Sequence, residues 1–400
     1  MTFEELTKQL EIDGHPSLPD GYFPVPTERS DELCTLDMIC RLQEKYNLFA
    51  EYFEAVQDGF ADLENDPYRK AYLDAVSLYF KDASIDEVLK IKYPPSVNTP
   101  ASNMLPLLVH LPSIESTYEN YRNRGLSHEE AVTCLSIYAI YLREERAYRS
   151  KIVGISPVIS NWMSRFTKCT IIYLGDSGLN FQTFKTPCDF PYILKSRTSG
   201  EYITVFADGY NVHKSGVPLG SKGAEDIYGS FETLFEETSD SYIGNIADAR
   251  YIDSTRKIFS KSEWELVLKA GDDVISTHIF WDSDFTPENI EHAFNRGVDK
   301  MIKAYPEYNF KALYCCSWLM SPEINDALGE KSKLSKFSSR FLRFPIVSGA
   351  GSVHAYVFPN NKGSDVCDYD ENTSLQRSIK KLLLNGKYVY DTCGVIPFSK

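Results

Sequence analysis

Apolar residues recur at every third or fourth position through the first 165 residues. In Ser30–Phe60 the stripe is Leu33, Leu36, Ile39, Leu42, Tyr46, Phe49, Phe53 and Val56, which predicts one long amphipathic helix. FEELTKQLEI opens the chain with the same period, and Pro67–Phe80 repeats it through Ala71, Ala75, Leu78 and Tyr79. Ser84 with Glu87, and Ser127 with Glu130, are capping-box pairs that mark helix starts. YPPSVNTPASNMLP breaks the pattern with its prolines before Met104–Tyr121 and Ser127–Lys151 resume it. Residues 1–165 are therefore expected to be all-helical.

After Lys168 the period becomes two. CTIIYLG, FQTFKT, YITVFADG and DDVISTHIFW are short, aromatic and β-branched, as strands are. Helix and strand then alternate. Pro287–Ala304 reads as a helix capped by Thr286, Phe310–Met320 as a strand, and Pro322–Leu328 and Leu334–Leu342 as helices. Val353–Phe358 reads as a strand, Thr373–Asn385 as a helix stopped by Gly386, and Tyr388–Val395 as a last strand. The glycine-rich, acidic stretch Asp208–Asp240 is expected to be a long hairpin with wide loops. Strand–helix–strand connections of this length give parallel neighbours. The expected fold class is α+β: a helical domain over 1–165, then a domain over 166–400 with a mixed central sheet flanked by helices.

Composition narrows the function. A net charge of −14 repels phosphate backbones and anionic lipid, which argues against nucleic-acid and membrane partners and for a small-molecule substrate. It also requires local donors for any phosphate-bearing cofactor. The nine cysteines are odd in number and form no CxxC pair, and the first residues lack the apolar core of a signal peptide. The expectation is a reduced, cytoplasmic chain with no metal site. Oligomeric state is not readable.

Five stretches carry a resemblance: RSKIVGISPVISNW, YIGNIADARYIDS leading into SEWELVLKAGDDVISTHIF, FKALYCCSWLMSPEINDAL, FSSRF, and ENTSLQRSIKKLLLNG. In order and spacing they resemble bacterial proteins that join a helical N-acyltransferase domain to a GNAT-like C-terminal acyltransferase domain. The resemblance implies transfer of an acyl group, acetyl in the first instance, from a coenzyme A thioester to an amine. It also implies two splayed strands for the pantetheine arm and a helix N-terminus for the pyrophosphate. In this chain those would be Asp273–Trp281, Phe310–Met320 and the helix after Thr286. The family's usual Arg or Gln with a glycine-rich turn is replaced by WDSDFTPEN, which brings Asp282, Asp284 and Glu288 to that turn. Either Lys336, Arg340 or Arg343 compensates, or the cofactor sits elsewhere, or the site has lost acyl-CoA. Two other readings stand beside the enzyme: a non-catalytic ligand-binding module, and a cysteine-dependent thioesterase or hydrolase.

The candidate catalytic residues are His278, Cys316, Ser317 and Glu236. An imidazole with a pKa near about 6.5 suits proton transfer, although a strand histidine can equally be a core residue. Cys315 and Cys316 alternate faces, so one at most meets a given site. Glu236 follows an apolar run and would deprotonate an amine if a cleft adjoined it. Trp281, Thr286, Trp318, Asn325, Arg340, Gln376 and Arg377 are the candidates for holding the cofactor, with Arg377, Lys380 and Lys381 a basic cluster in an acidic chain. GVPLGSKG, Gly216–Gly223, is only loosely a phosphate loop and reads as a mobile hairpin tip.

Overall fold

Side-chain caps set where the first helices begin. Thr2 and Glu5 close a capping box on Phe3–Gln9 (α1). The Thr35 hydroxyl accepts from the Met38 N–H at the head of Leu36–Tyr46 (α2). Phe53–Glu64 (α3) follows, then Asp66 caps Pro67–Asp82 (α4), where Pro67 fills the first turn. Ile85–Val88 (α5), Pro100–Leu108 (α6), Ile114–Asn123 (α7), His128–Leu135 (α8), Ile137–Glu144 (α9) and Pro157–Thr167 (α10) complete the series before a short strand, Ile171–Tyr173 (β1). The computed structural model describes residues 1–149, 151–361 and 363–398. Ser150, within the expected helix Ser127–Lys151, lies outside the described residues, as does Lys400 at the end of the expected second domain.

The chain divides into two units, Met1–Leu174 and Gly175–Lys400. In the first, the single helix expected over Ser30–Phe60 is broken between α2 and α3. Asn47 takes the left-handed conformation at φ 49°, which Asn tolerates, and this turns the chain so that Leu48 and Phe49 are fully buried. A hydrogen-bonded chain of polar groups crosses the core. His110 Nδ1 meets Thr167 Oγ1 and His110 Nε2 meets Ser160 Oγ, each at 2.9 Å. Tyr138 joins at Thr167 (2.6 Å) and Tyr93 at Ser160 (2.8 Å). Every member is buried and hydrogen-bonded, so the network carries little desolvation penalty.

The second unit holds two sheets and a ribbon. Leu179–Lys185 (β2), Tyr192–Ser196 (β3), Tyr202–Val205 (β4), Asn211–Val212 (β5), Phe231–Glu232 (β6), Phe235–Glu237 (β7), Ser241–Ala247 (β8), Ile252–Ser260 (β9), Trp264–Leu268 (β10) and Asp273–Ile279 (β11) come first. Helix Pro287–Ala304 (α11) leads to Ala312–Ser317 (β12). Pro322–Leu328 (α12), Lys333–Ser338 (α13), Leu342–Pro345 (β13), Ser352–Val357 (α14), Ser374–Leu384 (α15) and Thr392–Pro397 (β14) finish the unit. The central sheet has the order β2-β11-β12-β14-β13 and is mixed, because β11 and β12 are parallel and the other pairs antiparallel. This is the α+β class expected from the pattern. The second sheet, β10-β3-β4-β8-β7 with β9 on β8, is antiparallel throughout. β5 and β6 form the ribbon.

Two local expectations are corrected and a third is filled in. Val353–Phe358 is helical, not extended: α14 turns Val353 and Val357 together onto the cluster around Trp318, Ile324 and Ile379. Phe310–Met320 stops being a strand at Ser317, where the Ser317 hydroxyl accepts from Leu319 N–H and starts a tight turn. Asp208–Asp240 does contain a hairpin with a wide loop, β5 pairing with β6, and the loop is tied down where Gly216 O accepts from Ile252 N–H and Lys222 N–H donates to Ser348 O.

Candidate functional site

β11 and β12 are neighbours over only part of their length. Ile275 pairs with Leu313 and Ser276 with Tyr314, and there the ladder ends. Yet β11 continues to Ile279 and β12 to Ser317. The two strands therefore diverge over Thr277–Ile279 and Cys315–Ser317, opening a gap at the C-terminal end of the sheet. Each strand keeps its other partner there, His278 opposite Asn180 and Cys316 opposite Cys393.

Register decides which side chains face that gap from the same side. Val274, Ser276 and His278 alternate onto one face of β11, and the Ser276–Tyr314 pairing puts Tyr314 and Cys316 on the same face of β12. Below the gap this face is closed by a core that includes Val274, Tyr314, Phe344, Cys393 and Val395. Above it the cover stops: His278 is half-buried and Cys316 exposed, although both lie on interior strands. His278 Nε2 lies 2.9 Å from Gln182 Oε1 on β2 and 3.3 Å from Ser276 Oγ. Donation from Nε2–H to the Gln182 carbonyl oxygen corresponds to the neutral tautomer whose basic nitrogen is Nδ1.

The two adjacent cysteines have opposite fates. Cys315 is sealed in the sheet, and burial drives its thiol pKa up. Cys316 reaches solvent, and its pKa is lowered, first by hydrogen bonding from the Cys393 thiol opposite and then from Tyr314. Buried Cys393 is raised, so of this facing pair the exposed sulfur ionises first. The Tyr314 hydroxyl also lies 3.0 Å from Cys393 Sγ.

The helix after the gap is held close to the sheet by a glycine. A Cβ on Gly297 would fall 2.3 Å from the Phe181 ring of β2, so only glycine allows α11 to lie this near. A carboxylate of the chain itself, Asp284, stands just before the N-terminus of α11. Asp284 accepts from the Thr286 N–H (2.9 Å), the Thr286 hydroxyl (2.7 Å) and Asn289 Nδ2 (2.6 Å). These bonds, that from the Thr286 hydroxyl foremost, hold its pKa well below the usual carboxylate range. Two cations stand beside it. Lys333 Nζ is 2.8 Å from Thr286 Oγ1 and 3.5 Å from Asp284, while Arg340 donates to Pro287 O at 3.2 Å and pairs with Glu291. Of the cations named for that turn, Arg340 lies at the head of α11. Arg343 instead donates to Met320 O at 3.0 Å.

The remaining candidates fall elsewhere. Trp281, 43% exposed, follows β11 beside the gap. Trp318 is packed in the apolar cluster with Val353, Val357 and Ile379, so packing accounts for it. Asn325 on α12 is engaged with the Ser338 hydroxyl at 2.9 Å. Gln376 completes the capping box of α15 and donates to Val357 O, and Arg377 donates to Glu371 O. These contacts tie helices together rather than face the gap. Glu236 is exposed on β7, at the edge of the second sheet, opposite Ile243, and is not brought to His278.

Gln182, Lys333 and the tyrosines of a neighbouring cleft were not singled out from the sequence. Gln182 stands 96 positions before its imidazole partner, and no local pattern signals such a pairing. The cleft, about 320 Å³, opens where Thr392 of β14 meets Pro345 of β13 and Ser317 of β12. Among the described residues, Asp365, Cys367 and Asp368 bring metal-ligating atoms within 4.8 Å of one another, all exposed. No helix of the described residues is long and apolar enough to cross a membrane.

A comparison with curated proteins finds no match. Among solved structures, an acyltransferase in complex with decanoyl-CoA and teicoplanin is 13% identical with a TM-score of 0.63. An acyltransferase with CoA and 10C-teicoplanin (13%, 0.62) and an acyltransferase mutant with octanoyl-CoA (12%, 0.62) are similar. In all three, 100% of this chain and 100% of the other are covered, and at this identity the likeness is one of fold. The sequence of residues 178–396, more than half of the 400, matches the family described as GNAT-like C-terminal domain. With its mixed sheet parted between two parallel strands that a helix joins, the chain belongs to the family of proteins that carry a GNAT-like C-terminal domain.

Proposed function

We propose that the chain transfers an acyl group from a coenzyme A thioester to an amine. The observation that carries this reading is the early end of the β11–β12 ladder at Ser276 and Tyr314. A pantetheine arm is extended and carries two amides, so it suits a gap between strands whose mutual pairing has stopped. Lys333 and Arg340 stand at the head of α11 paired with Asp284 and Glu291, and the CoA phosphates would take the place of those carboxylates. The acyl group then lies between His278 and Cys316.

His278 Nδ1 takes the proton from the ammonium. The free amine attacks the thioester carbonyl, a C–N bond forms, the C–S bond breaks, and the proton that the amine nitrogen then loses ends on the departing CoA thiolate. Octanoyl- and decanoyl-CoA in the similar acyltransferases favour a medium-chain donor over acetyl.

Titration with decanoyl-CoA, acetyl-CoA and CoA, followed by melting temperature, tests the donor. Stabilisation should grow with ligand concentration. The absence of any shift at millimolar decanoyl-CoA and CoA refutes the enzyme reading and leaves a binding module without the cofactor. His278→Gln should then lower kcat by about 10²–10⁴-fold with little change in donor affinity.

A second reading has its own support. Cys316 is exposed, ionises more readily than its neighbours and shares a face with His278, as a thioesterase nucleophile would. Cys316→Ala separates the two: it abolishes acyl-CoA turnover if the thiol is the nucleophile and spares transfer to the amine if it is not.

A further inference from the structure

Two cysteines face each other across interior strands of the central sheet. Cys316 of β12 and Cys393 of β14 are direct register partners, so their side chains share one face. The phase of the ladder fixes how closely they approach. The Phe398 N–H donates to Lys311 O at 2.9 Å, and the next pair, Ala312 with Pro397, holds a proline that has no N–H to give. Bonded and non-bonded pairs alternate along an antiparallel ladder, so Ala312–Pro397, Tyr314–Val395 and Cys316–Cys393 are non-bonded pairs. In such a pair the Cα atoms lie about 4.5 Å apart and the side chains are closer than at bonded pairs, within the range a disulfide spans.

The two thiols differ in access. Cys316 is exposed beside the gap, whereas Cys393 is buried in the core that includes Tyr314, Phe344 and Val395. The Tyr314 hydroxyl, 3.0 Å from Cys393 Sγ, holds that sulfur in place. Hydrogen bonding, from Cys393 foremost, lowers the Cys316 pKa, while burial foremost raises that of Cys393. An oxidant in solution therefore meets the Cys316 thiolate first, with the Cys393 thiol directly opposite. The other exposed cysteines have no strand partner: Cys40 lies on α2, Cys188 in a turn after β2, and Cys367 in the short turn Val366–Asp368. Cys315, next to Cys316, points to the opposite face of β12.

We propose that Cys316 is a site of oxidation by hydroperoxides and that Cys393 resolves the product as a cross-strand disulfide. In the first step the Cys316 thiolate attacks a peroxide oxygen. An S–O bond forms, the O–O bond breaks, the sulfur is oxidised to a sulfenic acid, and the peroxide is reduced to hydroxide or alkoxide. In the second step the Cys393 sulfur attacks the Cys316 sulfur. An S–S bond forms, the S–O bond breaks, and the leaving hydroxide takes the Cys393 proton and departs as water. The hydroperoxide is the co-reactant, and neither step uses coenzyme A. The disulfide draws the exposed sulfur against the core and removes the free thiol from the face that His278 shares.

Brief treatment of the reduced full chain with hydrogen peroxide, then N-ethylmaleimide and unreduced tryptic peptide mapping, tests the pair. The peptide that carries Cys316 should appear linked to the one that carries Cys393, and dithiothreitol should separate them. Fragmentation between Cys315 and Cys316 assigns the link. The two thiols should be lost in equal amounts. In Cys393→Ser the sulfenic acid has no resolving thiol, so dimedone should label Cys316 about tenfold more than in the unaltered chain. Oxidation of Cys316 to sulfinic acid while Cys393 stays a thiol overturns the proposal, as does a link through Cys315 or a Cys316 that does not react. Equal dimedone labelling in the two folded proteins overturns the resolving role of Cys393. If Cys393→Ser fails to fold, the peptide map of the unaltered chain still decides.

Discussion

His110 makes the first unit sensitive to mild acid. Its ring is wholly enclosed, with both nitrogens committed to Ser160 and Thr167. Burial first, and the Lys168 charge second, pull its pKa from 6.5 down to about 3. The unfolded chain takes up a proton below about 6.5, while the folded chain resists until about 3. Stability is therefore complete above the unfolded value, falls as pH drops below it, and levels off near the folded value. About pH 5 lies about 1.5 pH units below the unfolded value and well above the folded one, which corresponds to a loss of about 2 kcal/mol relative to neutral pH. His110→Gln removes the titrating group. Other acid-sensitive groups are common to both proteins, so the difference between them isolates His110. Hydrogen exchange of α10, corrected for the intrinsic rate, reads the opening free energy of the helix that carries Ser160 and Thr167. The original chain should lose about 2 kcal/mol more protection than His110→Gln between about pH 7 and pH 5. Parallel losses in the two proteins refute the reasoning.

Further outcomes follow from the second unit. Gly297→Ala drives a methyl group into the Phe181 ring and should cost about 1–3 kcal/mol in denaturant unfolding, with weaker decanoyl-CoA binding as α11 is displaced. Lys333→Met should weaken decanoyl-CoA binding, and more so at low ionic strength, because the lost contact is electrostatic; an effect independent of salt contradicts the phosphate assignment. Of the cysteines at 315, 316 and 393, iodoacetamide should label Cys316 first, as followed by peptide mass. Labelling of Cys393 before Cys316 contradicts the ionisation order.

Local chemistry made many elements legible. The capping boxes at Ser84–Glu87 and Ser127–Glu130, the Thr286-Pro287 start of α11 and the alternation in DDVISTHIFW all correspond to observed elements. Each depends on residues within about one helical turn or one strand of one another, so the information is contiguous in the chain. β3, β8, β9 and β10 were not legible. β9 is largely exposed and carries Asp253, Arg256 and Lys257, and it is extended because β8 lies beside it. Val353–Phe358 shows the converse: a run suited to a strand becomes a helix because that shape turns Val353 and Val357 onto one cluster.

The site divides in the same way. His278 and Cys316 stand out by residue type, but their common face exists only because Ser276 pairs with Tyr314. The tautomer of His278 depends on Gln182, and the choice between Cys315 and Cys316 depends on which sheet face is left uncovered. The glycines of Gly216–Gly223 are visible in the sequence as turn-formers, while the tyrosines they press against come from near positions 251 and 388. Caps and periods are fixed by neighbours along the chain. Register, facing and the cleft arise from groups dozens to more than a hundred positions apart, and these meet only when long-range burial repays the entropy of closing the loops between them.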